Sequence, residues 1–277
     1  MKNRLSLTEL HIIMPPAGTP YTAGTQRPGT SQAGLPYLLA LPLLWSSSTH
    51  TQWPLLVYLH GAGESGSDPM GLLSEGATGT PPMLAQATSK QLQSYIVVSP
   101  QTDIGWNGRR TAQRVIALID ELQKQPLGID QNRVILTGVS MGGAGTWSVA
   151  SLHPHRFSAI VPVCGAPPDS ERWAQRLARK PIYVFHGAND VIMPVGFSDE
   201  AVRALRAAGA TSLLQYNRID EAPAPVGWPS FMGHAAWLPA YAEASPLWEW
   251  LRKQAPLSGT EQAPPDTGPS RLVQRAL

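Results

Sequence analysis

The sequence predicts an α/β fold: a mostly parallel sheet of about eight strands, helices on both faces and no separate cap domain. Three observations carry this. Short β-branched and aliphatic runs recur along the chain, and segments of helical periodicity fall between them. Strands alternating with helices need crossover connections, which cover a parallel sheet on both sides. With 277 residues, 43% of them hydrophobic, the chain can bury one large core.

The elements follow in order. Residues 1–34 are expected to hold an edge strand at Glu9–Met14 and then a loop rich in Pro, Gly and Thr. Pro36–Leu44 and Pro54–His60 read as strands, with a polar turn between them. Gly61–Met70 is loop-like in composition, residues 71–93 hold at most a short helix at Met83-Leu84, and Tyr95–Ser99 is a strand. Asn107 is placed to cap a helix from Gly108 to about Gln125, whose Val115, Leu118, Ile119 and Leu122 share one face. Val134–Leu136 is the next strand, followed by a helix from Met141 to about Leu152. Ala159–Val163 and Pro181–His186 are strands flanking a helix at Ser170–Arg179. A helix at Phe197–Ala208 ends at Gly209, a strand follows at Ser212–Tyr216, and Pro246–Gln254 is the last helix. The main domain is expected to span 35–254, with 255–277 a tail of Pro, Gly, Ser, Gln and Thr.

Composition excludes several classes. A net charge of +2, with only 14% charged residues, offers no electrostatic footprint for nucleic acid or an anionic membrane. The lone cysteine, Cys164, rules out an internal disulfide and a cysteine-rich zinc site, and its Val-Pro-Val and Gly-Ala neighbours make it a small buried residue at a strand end. Leu35–Trp45, broken by Pro36 and Pro42, is too short for a membrane span. Met1–Leu10 has no apolar signal-peptide region, so a cytoplasmic location is expected.

Gly138-Val139-Ser140-Met141-Gly142 matches G-x-S-x-G between a strand and a helix start. Glycines flank the serine because a Cβ there would strike the neighbouring strand or helix, and the turn pushes the hydroxyl out at the sheet edge. A serine hydroxyl is a weak nucleophile until a histidine takes its proton and an acid holds that histidine. In the α/β-hydrolases, whose serine motif this resembles, the acid and then the histidine follow the serine in the chain. Asp190, in His186-Gly187-Ala188-Asn189-Asp190, sits at a strand end, with Asp220 in a proline-rich loop as the other candidate. Among seven histidines, His234 alone falls between the last strand and the last helix. Two amides are needed for an oxyanion hole. Met141 supplies one by position, and Ala62, in the small-residue loop His60-Gly61-Ala62-Gly63-Glu64, supplies the other.

Tyr58–Glu64, Val98–Gln101, Leu136–Gly143, Phe185–Asp190 and Gly233–Trp237 occur in an order that resembles the α/β-hydrolase superfamily. Within it the chain is similar to esterases and predicted peptidases grouped with polyhydroxybutyrate depolymerases, feruloyl esterases and dienelactone hydrolases. The resemblance implies a serine esterase with Ser140, Asp190 and His234 as triad and Ala62 and Met141 as oxyanion donors. It implies a small-molecule ester substrate and no cofactor or metal. A peptidase with the same triad, or a non-catalytic binding protein on the same fold, are the alternatives. Glu64 matches the family motif and is read as bracing the oxyanion loop. Ala235 departs from the acidic residue often found there, and Asp220–Met232 looks long. The space between Cys164 and Pro181 holds little beyond one helix, which leaves an open cleft walled by Trp106, Trp228 and Trp237 and suited to short acyl or aromatic esters.

Overall fold

The structure is a computed structural model that describes residues 21–46, 51–169, 172–210 and 212–254. Eight strands form one sheet: β1 (Gln26–Thr30), β2 (Pro36–Ala40), β3 (Trp53–Leu59), β4 (Ile96–Pro100), β5 (Ile129–Val139), β6 (Ala159–Val163), β7 (Ile182–Gly187) and β8 (Leu214–Ile219). Their spatial order is β1-β2-β4-β3-β5-β6-β7-β8. β2 pairs antiparallel with both β1 and β4, and every later pairing is parallel. The helices are α1 (Pro81–Gln86), α2 (Arg109–Gln123), α3 (Met141–Leu152), α4 (Trp173–Leu177), α5 (Gly196–Ala207), α6 (Trp237–Tyr241) and α7 (Pro246–Lys253). None among the described residues is long and apolar enough to cross a membrane.

The strand pleat divides the core in two. Leu55, Val57 and Leu59 of β3 face a layer with Val115 and Leu118 of α2, Trp147 of α3 and Leu205 of α5. Leu56 and Tyr58, the alternate residues, face Trp237, Tyr241, Trp248 and Leu251 of α6 and α7. Both faces are covered, so the central strands read as continuous apolar runs. Helix α3 lies at the centre with nine of its twelve residues buried.

Several expectations need correction. Gln26–Thr30 was expected to be loop because of Pro28 and Gly29, but it forms the edge strand β1, in register with Pro36–Ala40. An edge strand can leave one side of its backbone unpaired, so Pro28 costs it little, and the Tyr37 ring covers Gly29. Asn107 does not cap α2: Gly108, at φ +97°, holds the cap position with no side-chain bond. The short α6, with Pro239 inside it, was not expected at all. β2 stops at Ala40, where Pro42 starts a turn. The expected strand at Glu9–Met14 and the tail from 255 lie outside the described residues.

Candidate active site

The serine turn is set by steric crowding. An ideal Cβ on Gly142 would lie 1.9 Å from the Leu59 carbonyl oxygen, and one on Gly138 would lie 2.4 Å from that of Gly142. Only hydrogen fits at either place, so β5 runs directly into α3. Ser140 between them takes φ 54° and ψ −116°, a conformation that costs a non-glycine residue about 1–3 kcal/mol and persists only where packing enforces it. Its amide donates to the Val163 carbonyl at 3.0 Å, which ties the turn to β6.

His234 comes to this serine from the loop after β8. Its Nε2 lies 3.0 Å from Ser140 Oγ and its Nδ1 lies 2.9 Å from Asp190 Oδ2. The acid and histidine loops are locked together. Gly233, at φ +82°, has no room for a Cβ, which would lie 2.3 Å from the Asn189 carbonyl. Asn189 exchanges two hydrogen bonds with the Ala222 backbone, and the Val191 amide donates to Met232 O. The long Asp220–Met232 segment is therefore anchored at both ends, whereas Asp220 itself is exposed.

Burial alone would raise the pKa of Asp190. The nearby His186 imidazole, 3.4 Å away, and hydrogen bonds from His234 and the Met193 amide outweigh that and hold the carboxyl well below its usual range. Its Oδ1 accepts the Ile192 and Met193 amides, both at 2.9 Å. A carboxylate fixed as the charged form orients the histidine and favours an imidazolium when one forms.

Opposite the histidine, Ala62 opens a 3-10 turn over Ala62–Glu64, and Met141 opens α3. Amides at the start of a helical turn have no partner within it, so both suit an oxyanion. His60 braces the first of these turns from inside the protein. The Thr102 amide donates to its Nε2 at 3.1 Å, so Nδ1 carries the proton and donates to Gly61 O at 2.6 Å. Burial lowers its pKa to about 4. The Glu64 carboxyl is buried as well, which raises its pKa, and Gln101 Nε2 donates to the Glu64 carbonyl at 2.8 Å.

Ser140, Ala62, His234, Trp228 and Trp237 line a cleft of about 640 Å³. Trp237 Nε1 donates to Thr78 O, and its ring meets His234 edge-on at 5.8 Å between centroids. Trp228 is half exposed and tilted over Phe231. Trp106 is not a wall of the cleft. It is 1% exposed, donates from Nε1 to His60 O at 2.9 Å and packs against Gly145, so it supports the His60–Glu64 loop from beneath. Among the described residues one group of three metal donors occurs, Cys164, Asp190 and His234, with donor atoms within 4.8 Å of one another. Burial pushes the Cys164 thiol well above its usual range, and the other two are engaged with each other, so the set does not fit an ion.

The family model described as Phospholipase/Carboxylesterase matches residues 106–221, the stretch that carries the serine turn and the acid loop. The chain is 27% identical to a thermostable esterase of known structure, with a TM-score of 0.63 over 83% of this chain and 62% of that one. A feruloyl esterase module from Clostridium thermocellum superposes with a TM-score of 0.60 at 14% identity, over 83% and 88% of the two chains. In this stretch and in its fold the chain is similar to the α/β-hydrolase superfamily. Its relatives lie in the esterase and peptidase branch. A bifunctional acetylxylan esterase/xylanase from Neocallimastix patriciarum is 33% identical over 106 residues, 36% of this chain, and the chain spans 15% of that protein's length.

On this α/β-hydrolase sheet the three side chains picked from motif order meet in one hydrogen-bonded line. Two neighbours were not anticipated. His186, in the strand before the acid, lies against Asp190, and Trp106 belongs to the core. The i,i+4 spacing of His186 and Asp190 across a strand end was the available signal for the first.

Proposed function

We propose that the chain is a serine carboxylic-ester hydrolase working through an acyl-enzyme. Ser140 Oγ attacks the ester carbonyl as His234 Nε2 takes its proton, and Asp190 steadies the imidazolium. The amides of Ala62 and Met141 receive the oxyanion. The tetrahedral intermediate collapses, the C–O bond to the alcohol breaks, and His234 returns the proton to the leaving oxygen. Water then enters, gives its proton to His234 and attacks the acyl carbonyl. Collapse releases the acid and restores Ser140.

The observation that carries this reading is the serine–histidine–carboxylate line, at 3.0 and 2.9 Å, on a strained turn beside two N-terminal amides. Short-acyl or aromatic esters suit the cleft. Between β6 and β7 the described residues add only the five-residue α4, whose Trp173 packs on Trp147 away from the cleft. An acetylxylan ester, named for the curated relative, has a short acyl group. The test is a chain-length series of nitrophenyl esters with wild type and Ser140→Ala. Turnover should be greatest for short chains and fall on the order of 10⁴-fold in the variant. A preference beyond about ten carbons contradicts the open cleft, and near-normal turnover by Ser140→Ala contradicts the mechanism.

A further inference from the structure

One buried polar side chain beside the acid has no part in the mechanism above. His186, the penultimate residue of β7, is 0% exposed. Its Nε2 lies 2.8 Å from Met193 O and 3.4 Å from Asp190 Oδ2, and its Nδ1 lies 2.7 Å from Ser198 Oγ. A carbonyl and a carboxylate both face Nε2, so that nitrogen must carry the proton. In the neutral ring Nδ1 is then an acceptor, and the Ser198 hydroxyl, also fully buried, is its donor. Packing alone would be served by an apolar side chain of the same size, with no buried nitrogens to satisfy.

We propose that His186 is a positioning residue for Asp190: Met193 O and Asp190 Oδ2 fix it as the Nε2–H tautomer, Ser198 caps its Nδ1, and it steadies Asp190 Oδ2 against the Nδ1–H of His234. This rests on reading Ser140, His234 and Asp190 as the triad. The geometry gives Asp190 a separate anchor for each oxygen. Oδ1 is fixed by the Ile192 and Met193 amides of its own loop. Oδ2 accepts from His234, and the His186 Nε2–H, which donates to Met193 O, lies 3.4 Å from it. By also holding Met193 O, His186 ties the loop that supplies the Oδ1 amides to strand β7. Without that N–H the carboxylate can rotate about its side-chain bonds, and His234 loses its orientation while the cleft is unchanged.

Three variants test this: His186→Gln, which keeps an N–H near the Nε2 position, His186→Leu, which removes it, and Ser198→Ala, which leaves Nδ1 without its donor and loosens the ring. The expected result for His186→Leu is a fall in kcat of about 10- to 100-fold with KM little changed, the scale of a misplaced catalytic group. His186→Gln should recover most of it, and Ser198→Ala should fall between. The downfield proton resonance of the His234–Asp190 hydrogen bond should weaken in His186→Leu and Ser198→Ala and persist in His186→Gln. Unaltered kcat and resonance in folded His186→Leu overturn the proposal. If His186→Leu does not fold, Ser198→Ala decides in the same way. Should wild type neither turn over esters nor react with a fluorophosphonate, the esterase reading fails by itself, and the resonance still decides the role of His186.

Discussion

Asp190 illustrates how much one carboxylate is asked to do. Its side chain is fully buried, accepts two amides on one oxygen and the His234 N–H on the other, with His186 3.4 Å away, and stays charged because these interactions outweigh its desolvation. Asp190→Asn cannot accept the His234 Nδ1–H in the same way, and kcat should fall by roughly 10³- to 10⁴-fold. Asp220→Asn, at an exposed site, should change kcat less than about twofold. Steady-state kinetics on one short ester decides between them, and the reverse order of sensitivity would move the acid to the loop after β8. His60 governs stability instead. Its pKa falls from 6.5 to about 4 on burial, so over that window the unfolded chain binds a proton that the folded one refuses. Stability therefore rises with pH and is lost as pH falls from 6.5 toward 4, by up to about 3 kcal/mol. Partly buried His153 acts in the same sense, whereas Glu64, raised by burial, opposes it just above the ordinary carboxylate range. Urea unfolding at pH 7, 5.5 and 4.5 should show the loss in wild type and a flatter dependence in His60→Asn. Equal slopes would remove His60 from the account.

Elements were legible where their pattern was local. β3, β4, β6 and β7 are short aliphatic runs, and α2, α3, α5 and α7 carry clear periodicity or caps, so their existence could be read within a residue or two of each end. β1 could not, because its stability comes from pairing with β2 and not from its own Pro and Gly. α6 is hidden for a similar reason: five residues with a proline form a helix only because Trp237 and Tyr241 are buried against the sheet. At the site, Ser140, Asp190 and His234 were picked from strand ends and motif order, and the three side chains lie in one hydrogen-bonded line. Trp106 was misplaced, because nothing local tells that the loop after β4 folds inward onto Gly145. The turn between β5 and α3 gives an element-scale prediction. Gly142→Ala forces a Cβ against Leu59 backbone and should destabilise by about 2 kcal/mol or more. Gly63→Ala, in open space, should stay within about 0.5 kcal/mol. Chemical denaturation of the two side by side provides the check, and a harmless Gly142→Ala would refute the steric origin of the turn.

At the scale of the molecule, the parallel sheet delivers groups from distant parts of the chain to one edge. The turn after β5, the loop after β3, the loop after β7 and the segment after β8 all meet at the carboxyl ends of their strands, where ligands bind in open α/β sheets. Polar contacts at the edge are made between loops, so the cleft is assembled only when the whole sheet is. The central claim, that this edge presents an activated Ser140, is tested most directly by a fluorophosphonate probe and peptide mapping of the labelled protein. The account predicts modification at Ser140, absent in Ser140→Ala and slowed at least about 10³-fold in His234→Ala. Labelling at another residue, or equal labelling of wild type and His234→Ala, would contradict it.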